Sequence, residues 1–278
     1  MEVRVYSASS QVRRPLALFR SMFRDLMTGQ ELAWRLFVRD VTSEYRDSVL
    51  GYFWILLPPL GATLVWVLLR NSGIIAPQDL KIPYILYVLS GSLLWESFVG
   101  ALSRAQDSVI RNQTMLAKAR PNYEGLLLAS FWYVCLNCVI RLAIVYVATF
   151  VFTGSIPWQA FAFAPGAIFT LLLYGFMVGM LLAPFSAMFR DVQRVMGMIF
   201  GFWFMATPIV YSIDPDSPLI LINPVAPLLL TCRDLLTTGD FDLPILFTIY
   251  TTLTFLFFVL TWAFYRISIP HIMARTGG

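Results

Sequence analysis

The stretch Leu126–Phe152 reads LLLASFWYVCLNCVIRLAIVYVATFVF. A single charge, Arg141, interrupts an apolar run long enough to cross the hydrocarbon core of a bilayer, which takes roughly 20 residues. Five further runs accompany it: Leu50–Leu69, Ile82–Leu102, Phe161–Met188, Val195–Ile213 and Leu243–Tyr265. Basic residues are placed unevenly between them. Sixteen of the twenty Lys and Arg fall before the first run, between the second and third, between the fourth and fifth, or after the sixth. The opposite connections hold only Arg70, Lys81 and Arg233. The positive-inside bias then predicts six spans with both termini in the cytoplasm.

Composition supports an all-α integral membrane protein. The chain is 58% hydrophobic and 13% charged, where an average soluble domain is about 25% charged. The expected organisation is a cytoplasmic interface region over residues 1–49, a six-span domain over 50–265 and a cytoplasmic tail over 266–278. The first region has no continuous apolar stretch suited to a cleavable leader. The net charge of +4 tracks membrane sidedness, with no stacking module beside it, so no nucleic-acid partner is expected.

Two segments depart from simple spans. In the first region Leu16, Phe19, Phe23, Leu26 and Met27 recur at helical steps opposite Arg20 and Arg24, which suits an amphipathic interface helix in the headgroup plane. A second such piece follows Gly29, with Leu32, Leu36 and Phe37 apolar and Arg35 and Arg39 able to snorkel. Between the fifth and sixth runs, SPLILINPVAPLLLTCRDLL (217–236) contains Pro218, Pro224 and Pro227. Proline breaks helices, so this segment reads as re-entrant helices dipping in from the outside.

Catalytic chemistry finds no foothold. The two lysines, Lys81 and Lys118, stand in no Gly-x-x-x-x-Gly-Lys-Ser/Thr loop, so no ATP site of that kind is expected. Asp214-Pro-Asp216 imitates a metal-holding Asp-x-Asp, but Pro-Asp is ordinary turn chemistry. Cys135 and Cys138 have redox spacing inside a span, where small buried thiols are the simpler reading. A lone His271 makes no metal site, and no metal or other cofactor is expected in this chain.

Several span residues invite a transport role. Arg141 lies roughly 22 Å from the cytoplasmic end of the third span and Glu96 roughly 12 Å from that surface at 1.5 Å per residue; such charges must face protein or water. Their depths differ by roughly 10 Å on this count, so an ion pair between side chains alone is in doubt. On the fifth span Phe200, Trp203, Phe204, Thr207 and Tyr211 share one helical face, which suits packing or an interfacial belt as well as a passage for a sugar chain. Gly175, Gly179 and Ala183, and then Gly197 and Gly201, repeat every four residues, which permits close helix approach.

Four motifs carry a family resemblance. EYRDSVLGYFWILLPPL (44–60), MFRDVQRV (188–195), FWFMATPIVYS (202–212) and INPVAPLLLTCRDLL (222–236) are similar, in this order, to segments of ABC-2 type membrane subunits that export lipid-linked polysaccharides, the O-antigen, teichoic acid and capsule exporters. The resemblance implies a homodimer of six-span subunits in the bacterial inner membrane. Two copies of a separate ATPase subunit would bind the ATP and Mg, and a lipid-linked glycan would pass between the membrane subunits. Docking on the ATPase would fall to Tyr45, Arg46, Asp47, Arg104, Arg111, Asn112, Met115, Arg190 and Asp191, which otherwise read as solvated loops with topological arginines. The pathway would include Tyr52, Trp54, Glu96, Arg141, Phe200, Trp203, Phe204 and Tyr211, with the outer segment as exit gate. Export of a drug, peptide or other lipid, a membrane glycosyl- or acyltransferase, and a channel are the alternatives.

Overall fold

The computed structural model describes residues 15–45, 53–54, 56–74, 80–118, 122–214 and 217–276. Regular structure among them is helical throughout: α1 (Pro15–Thr28), α2 (Gln30–Tyr45), α3 (Leu57–Asn71), α4 (Tyr84–Gln106), α5 (Gln113–Lys118), α6 (Tyr123–Thr153), α7 (Gln159–Ala162), α8 (Ala164–Met188), α9 (Asp191–Ala206), α10 (Pro218–Ile222), α11 (Val225–Thr237) and α12 (Pro244–Thr276).

Four of these are long and apolar enough to cross a membrane: α4, α6, α8, and α12 from Pro244 to Ile272. The first and fifth predicted runs are shorter helices of 15 and 16 residues, roughly 22 and 24 Å at 1.5 Å per residue against a core of about 30 Å. Proline explains both. Pro58 and Pro59 occupy the first turn of α3, the one part of a helix that needs no proline donor. At the end of α9, Thr207 precedes Pro208 and is extended, with φ −104° and ψ 135°, because the proline ring disfavours α geometry in the residue before it.

Helix α4 is the axis of the bundle, buried from Tyr84 to Gln106 except for a few positions. Helices α8, α6, α3 and α11 pack around it, α12 lies against α8, and α2 lies against α6. The α4–α8 seam needs glycine. A Cβ on Gly179 would collide with the Leu102 carbonyl oxygen, and one on Gly175 would stand 2.7 Å from that of Phe98. The second small-residue pair behaves differently, since a Cβ on Gly197 or Gly201 would meet nothing within 4 Å. Segment 217–236 forms α10 and α11, and α11 is buried along most of its length.

Candidate functional site

One end of the bundle is built from buried charges. Arg266, near the end of α12, gives Nη1 to Glu124 at the start of α6 and Nη2 to Asp25 Oδ2 of α1 at 2.6 Å. All three residues are buried. Asn122 caps α6 by accepting from the Glu124 amide at 3.0 Å, and its side-chain amide donates to the Asp25 carbonyl. A second knot joins α2 to the same end. Asp40 pairs with Arg104 of α4 and with Arg39 at 2.7 Å; Arg39 also donates to Asn112 Oδ1 at 3.0 Å. The Arg104 guanidinium lies 3.8 Å over the Tyr133 ring, and the Tyr133 hydroxyl donates to Glu44.

The residues expected to dock on an ATPase divide accordingly. Arg111, Arg190 and Asp191 are exposed at this end, and Met115 is half-buried against the apolar cluster that includes Val109, Leu116 and Leu126. Arg104 and Asn112 are not on the surface: they are buried and hold α2 to α4 and to the loop after it. A cation one turn from a helix end reads as solvent-facing, but Asp40 sits opposite and pulls it inward. Tyr45 closes α2; its side chain, with Arg46, Asp47 and the expected pathway residue Tyr52, lies outside the described residues.

Among the pathway residues, Trp54 is exposed. The expected depth gap between Arg141 and Glu96 closes, because Arg141 Nη1 donates to the Glu96 carbonyl oxygen at 3.0 Å. Helix α6 starts well beyond the level of Arg104: Tyr133, which covers Arg104, is already ten residues along, roughly 15 Å from Tyr123. Arg141 is eight residues past Tyr133 and Glu96 eight before Arg104, so both stand roughly 12 Å from that level. The contact is to main chain, which ties α6 to α4 at mid-bundle.

The aromatic face of the fifth run is divided. Trp203 meets Phe98 and Trp95 at centroid distances of 5.3 and 6.2 Å, and Phe204 meets Trp95 at 5.9 Å. Phe200 packs on the same core. These three rings therefore turn towards α4. Thr207 and Tyr211 do not share their helical face, since the helix has ended at Ala206. The chain from Thr207 to Val210 is non-helical and buried, where open carbonyls are costly. Side chains satisfy them: the Tyr84 and Tyr87 hydroxyls donate to the Val210 and Tyr211 carbonyls at 2.9 Å, and Arg233 Nη1 donates to that of Pro208 at 3.1 Å. Arg233 also lies 3.6 Å over the Tyr87 ring. Asn223 takes the Trp203 indole hydrogen at 2.9 Å and donates to Thr207 Oγ1 at 2.9 Å.

The profile of the ABC-2 type transporter family matches residues 31–229, from α2 into α11. This chain belongs to that family. It is 24% identical over 221 residues to an O-antigen export system permease protein RfbA from Klebsiella pneumoniae, covering 77% of this chain and 83% of that one. A protein of the same name from Myxococcus xanthus is 25% identical over 215 residues, covering 75% and 81%.

In this ABC-2 transporter chain the matched region contains Thr207–Tyr211 and Asn223 of the clamp that follows α9, and the Asp40–Arg104 knot, while Arg233 lies four residues beyond it. Sequence reasoning assigned no role to Asn223, Tyr84, Tyr87, Asp25, Asp40 or Glu124. Prolines flanking a polar residue, as in Asn223-Pro224, were the available signal for a buried cap. For the paired carboxylates no local signal exists, because their partners are 64 to 241 residues away.

Proposed function

We propose that this chain is the membrane subunit of an ATP-driven exporter that moves a lipid-linked polysaccharide of the O-antigen kind outward across the bacterial inner membrane. The family match over residues 31–229, joined by relatives named as O-antigen export permeases over most of their length, carries this reading. On it, each subunit makes six crossings, α3 and α9 being the two short ones, with α10 and α11 dipping in from the outside and both termini in the cytoplasm. Two copies enclose the path. An outward surface suited to a second copy exists on α9, where Val195, Met198, Phe202 and Met205 are exposed beside the open Gly197 and Gly201. On α3, Leu64, Val65 and Leu68 are exposed in the same way.

Two copies of a separate ATPase subunit bind ATP and Mg and dock at the exposed Arg111, Arg190 and Asp191. Because Asp40, Arg39 and Asn112 bind that loop to α2, a pull on it moves α2 and α4 together. The reading is tested by deleting the gene and locating the glycan. Lipid-linked polymer should accumulate inside and return to the surface when this chain and its ATPase are supplied together. Normal surface glycan in the deletion strain, or ATP hydrolysis by vesicles of this chain alone, would overturn it.

A further inference from the structure

Helix α1 has three faces. Leu18, Met22 and Asp25 are buried against the bundle, Phe23 and Met27 form an exposed apolar row, and Arg20 and Arg24 stand beside that row, roughly 6 Å apart along the axis. The apolar row continues onto a membrane-crossing helix. Phe23 meets the Trp262 ring of α12 edge-on at 5.7 Å, and Trp262 meets Phe258 at 6.4 Å. Further along α12, Phe255, Leu256 and Val259 are exposed. One turn beyond Trp262, Arg266 holds Asp25, so α1 is fixed at the level where α12 leaves its apolar stretch.

Helix α2 is seated at this end in the same manner, with Trp34 at 6.2 Å from Trp132 of α6. Aromatic rings that join an amphipathic helix to a span mark the headgroup level. The cations there are not equally occupied. Arg35 is bound to Glu31 at 2.6 Å and Arg39 to Asp40 at 2.7 Å. Among the described residues, Arg24 pairs with Asp25 alone, at 3.8 Å, and the other Asp25 oxygen is held by Arg266. Arg20 makes no ion pair among the described residues. Two under-compensated guanidinium groups therefore lie beside a row of apolar side chains, a pattern complementary to lipid phosphates above acyl chains.

We propose that Arg20 and Arg24 recognise the phosphates of anionic phospholipids in the cytoplasmic leaflet, making α1 a lipid-recognition element tied through Asp25 to α6 and α12. The inference rests on the proposed cytoplasmic placement of this end. The test is the melting temperature of the full chain, purified alone and with its ATPase subunit, as phosphatidylglycerol or phosphatidylcholine is titrated into the micelles. Phosphatidylglycerol should raise it by several degrees and phosphatidylcholine should not.

An arginine near an anionic surface strengthens association about fivefold, so R20Q/R24Q should need roughly 25-fold more phosphatidylglycerol for the same rise. R20K/R24K should respond nearly as wild type, and R35Q, whose guanidinium is already taken, should respond fully. Equal shifts from the two lipids, or an unchanged response in R20Q/R24Q, would overturn the proposal. So would an equal shift from inorganic pyrophosphate, which would indicate a site for soluble phosphate. Loss of the response on adding the ATPase subunit would assign the face to that protein. The micelle assay does not depend on orientation, so a wrong topology would show separately, as protease access to the carboxyl-terminal tail from outside intact cells.

Discussion

The two ends of this bundle solve one problem, polar groups at low dielectric, by different means. At the end that gathers α1, α2 and the last turns of α12, whole charges are buried and matched: Arg266 with Asp25 and Glu124, and Arg104 with Asp40. At the opposite end the buried polar groups are mainly main-chain carbonyls after a helix broken by Pro208, closed by tyrosine, arginine and asparagine side chains. The close ion pairs described there, Lys81 with Asp240 and with Asp242 at 2.8 Å, are half-exposed. Buried pairs add little net stability but are costly to break and fix geometry. The first end is therefore built to keep separate helices in register under load, and the second to tolerate irregular backbone.

That contrast can be broken most sharply at Arg266. Arg266→Met takes the cation from buried Glu124 and the 2.6 Å partner from Asp25 and should cost about 3–5 kcal/mol, read as lost expression and a large fall in melting temperature in detergent. Lys81→Ala at the other end should cost less than about 1 kcal/mol, because its partners remain solvated. Equal effects from the two would mean that the inner triad is not shielded from water. The seam between α4 and α8 gives a second contrast. Gly179→Ala must displace the Leu102 carbonyl and should cost about 1–3 kcal/mol or more. Gly197→Ala, which faces open space, should stay within about 0.5 kcal/mol in the isolated subunit.

Much of the fold was legible because membranes impose few rules. The apolar runs located α4, α6, α8 and α12, and the proline-rich segment 217–236 forms two short helices that part at Asn223-Pro224. The same rule was not carried far enough: Pro208 ends α9 as surely as Pro224 parts α10 from α11, so the aromatic face drawn through Tyr211 extends past the helix. Arg104 was placed on the docking surface by resemblance, and Arg141 was set deeper than Glu96 by counting from the ends of their spans. That count assumed that neighbouring helices begin at one level, whereas α6 starts roughly 15 Å beyond the level of Arg104. Offsets and long-range partners such as Asp40 are tertiary facts that a local pattern cannot hold.

The clamp that follows α9 should respond on a smaller scale. Arg233→Met removes the shorter of two donors to the Pro208 carbonyl, leaving it the Tyr87 hydroxyl at 3.4 Å, and also removes the cation over Tyr87; a poorly satisfied buried acceptor costs about 1–3 kcal/mol. If the melting temperature of this variant matched wild type, the segment after α9 would be satisfied by water instead. A pH-dependent effect belongs to the neighbouring Asp234, outside the spanning helices. Burial pushes its carboxyl up from 3.8 to about 6; Arg233 opposes the shift and Asp242 adds to it.

The sign follows from proton counting. With the folded value above the unfolded one, the native state holds more protons between about pH 4 and 6, so the contribution of Asp234 is present in acid and is lost as pH rises through about 6. The size is on the order of 2 kcal/mol, allowing for a partly exposed side chain. Melting curves of wild type and Asp234→Asn should therefore diverge, the variant gaining relative stability from about pH 4 to pH 6 and holding that gain above it. A difference independent of pH would place this carboxylate in water and would move the boundary of the clamp inward to Arg233.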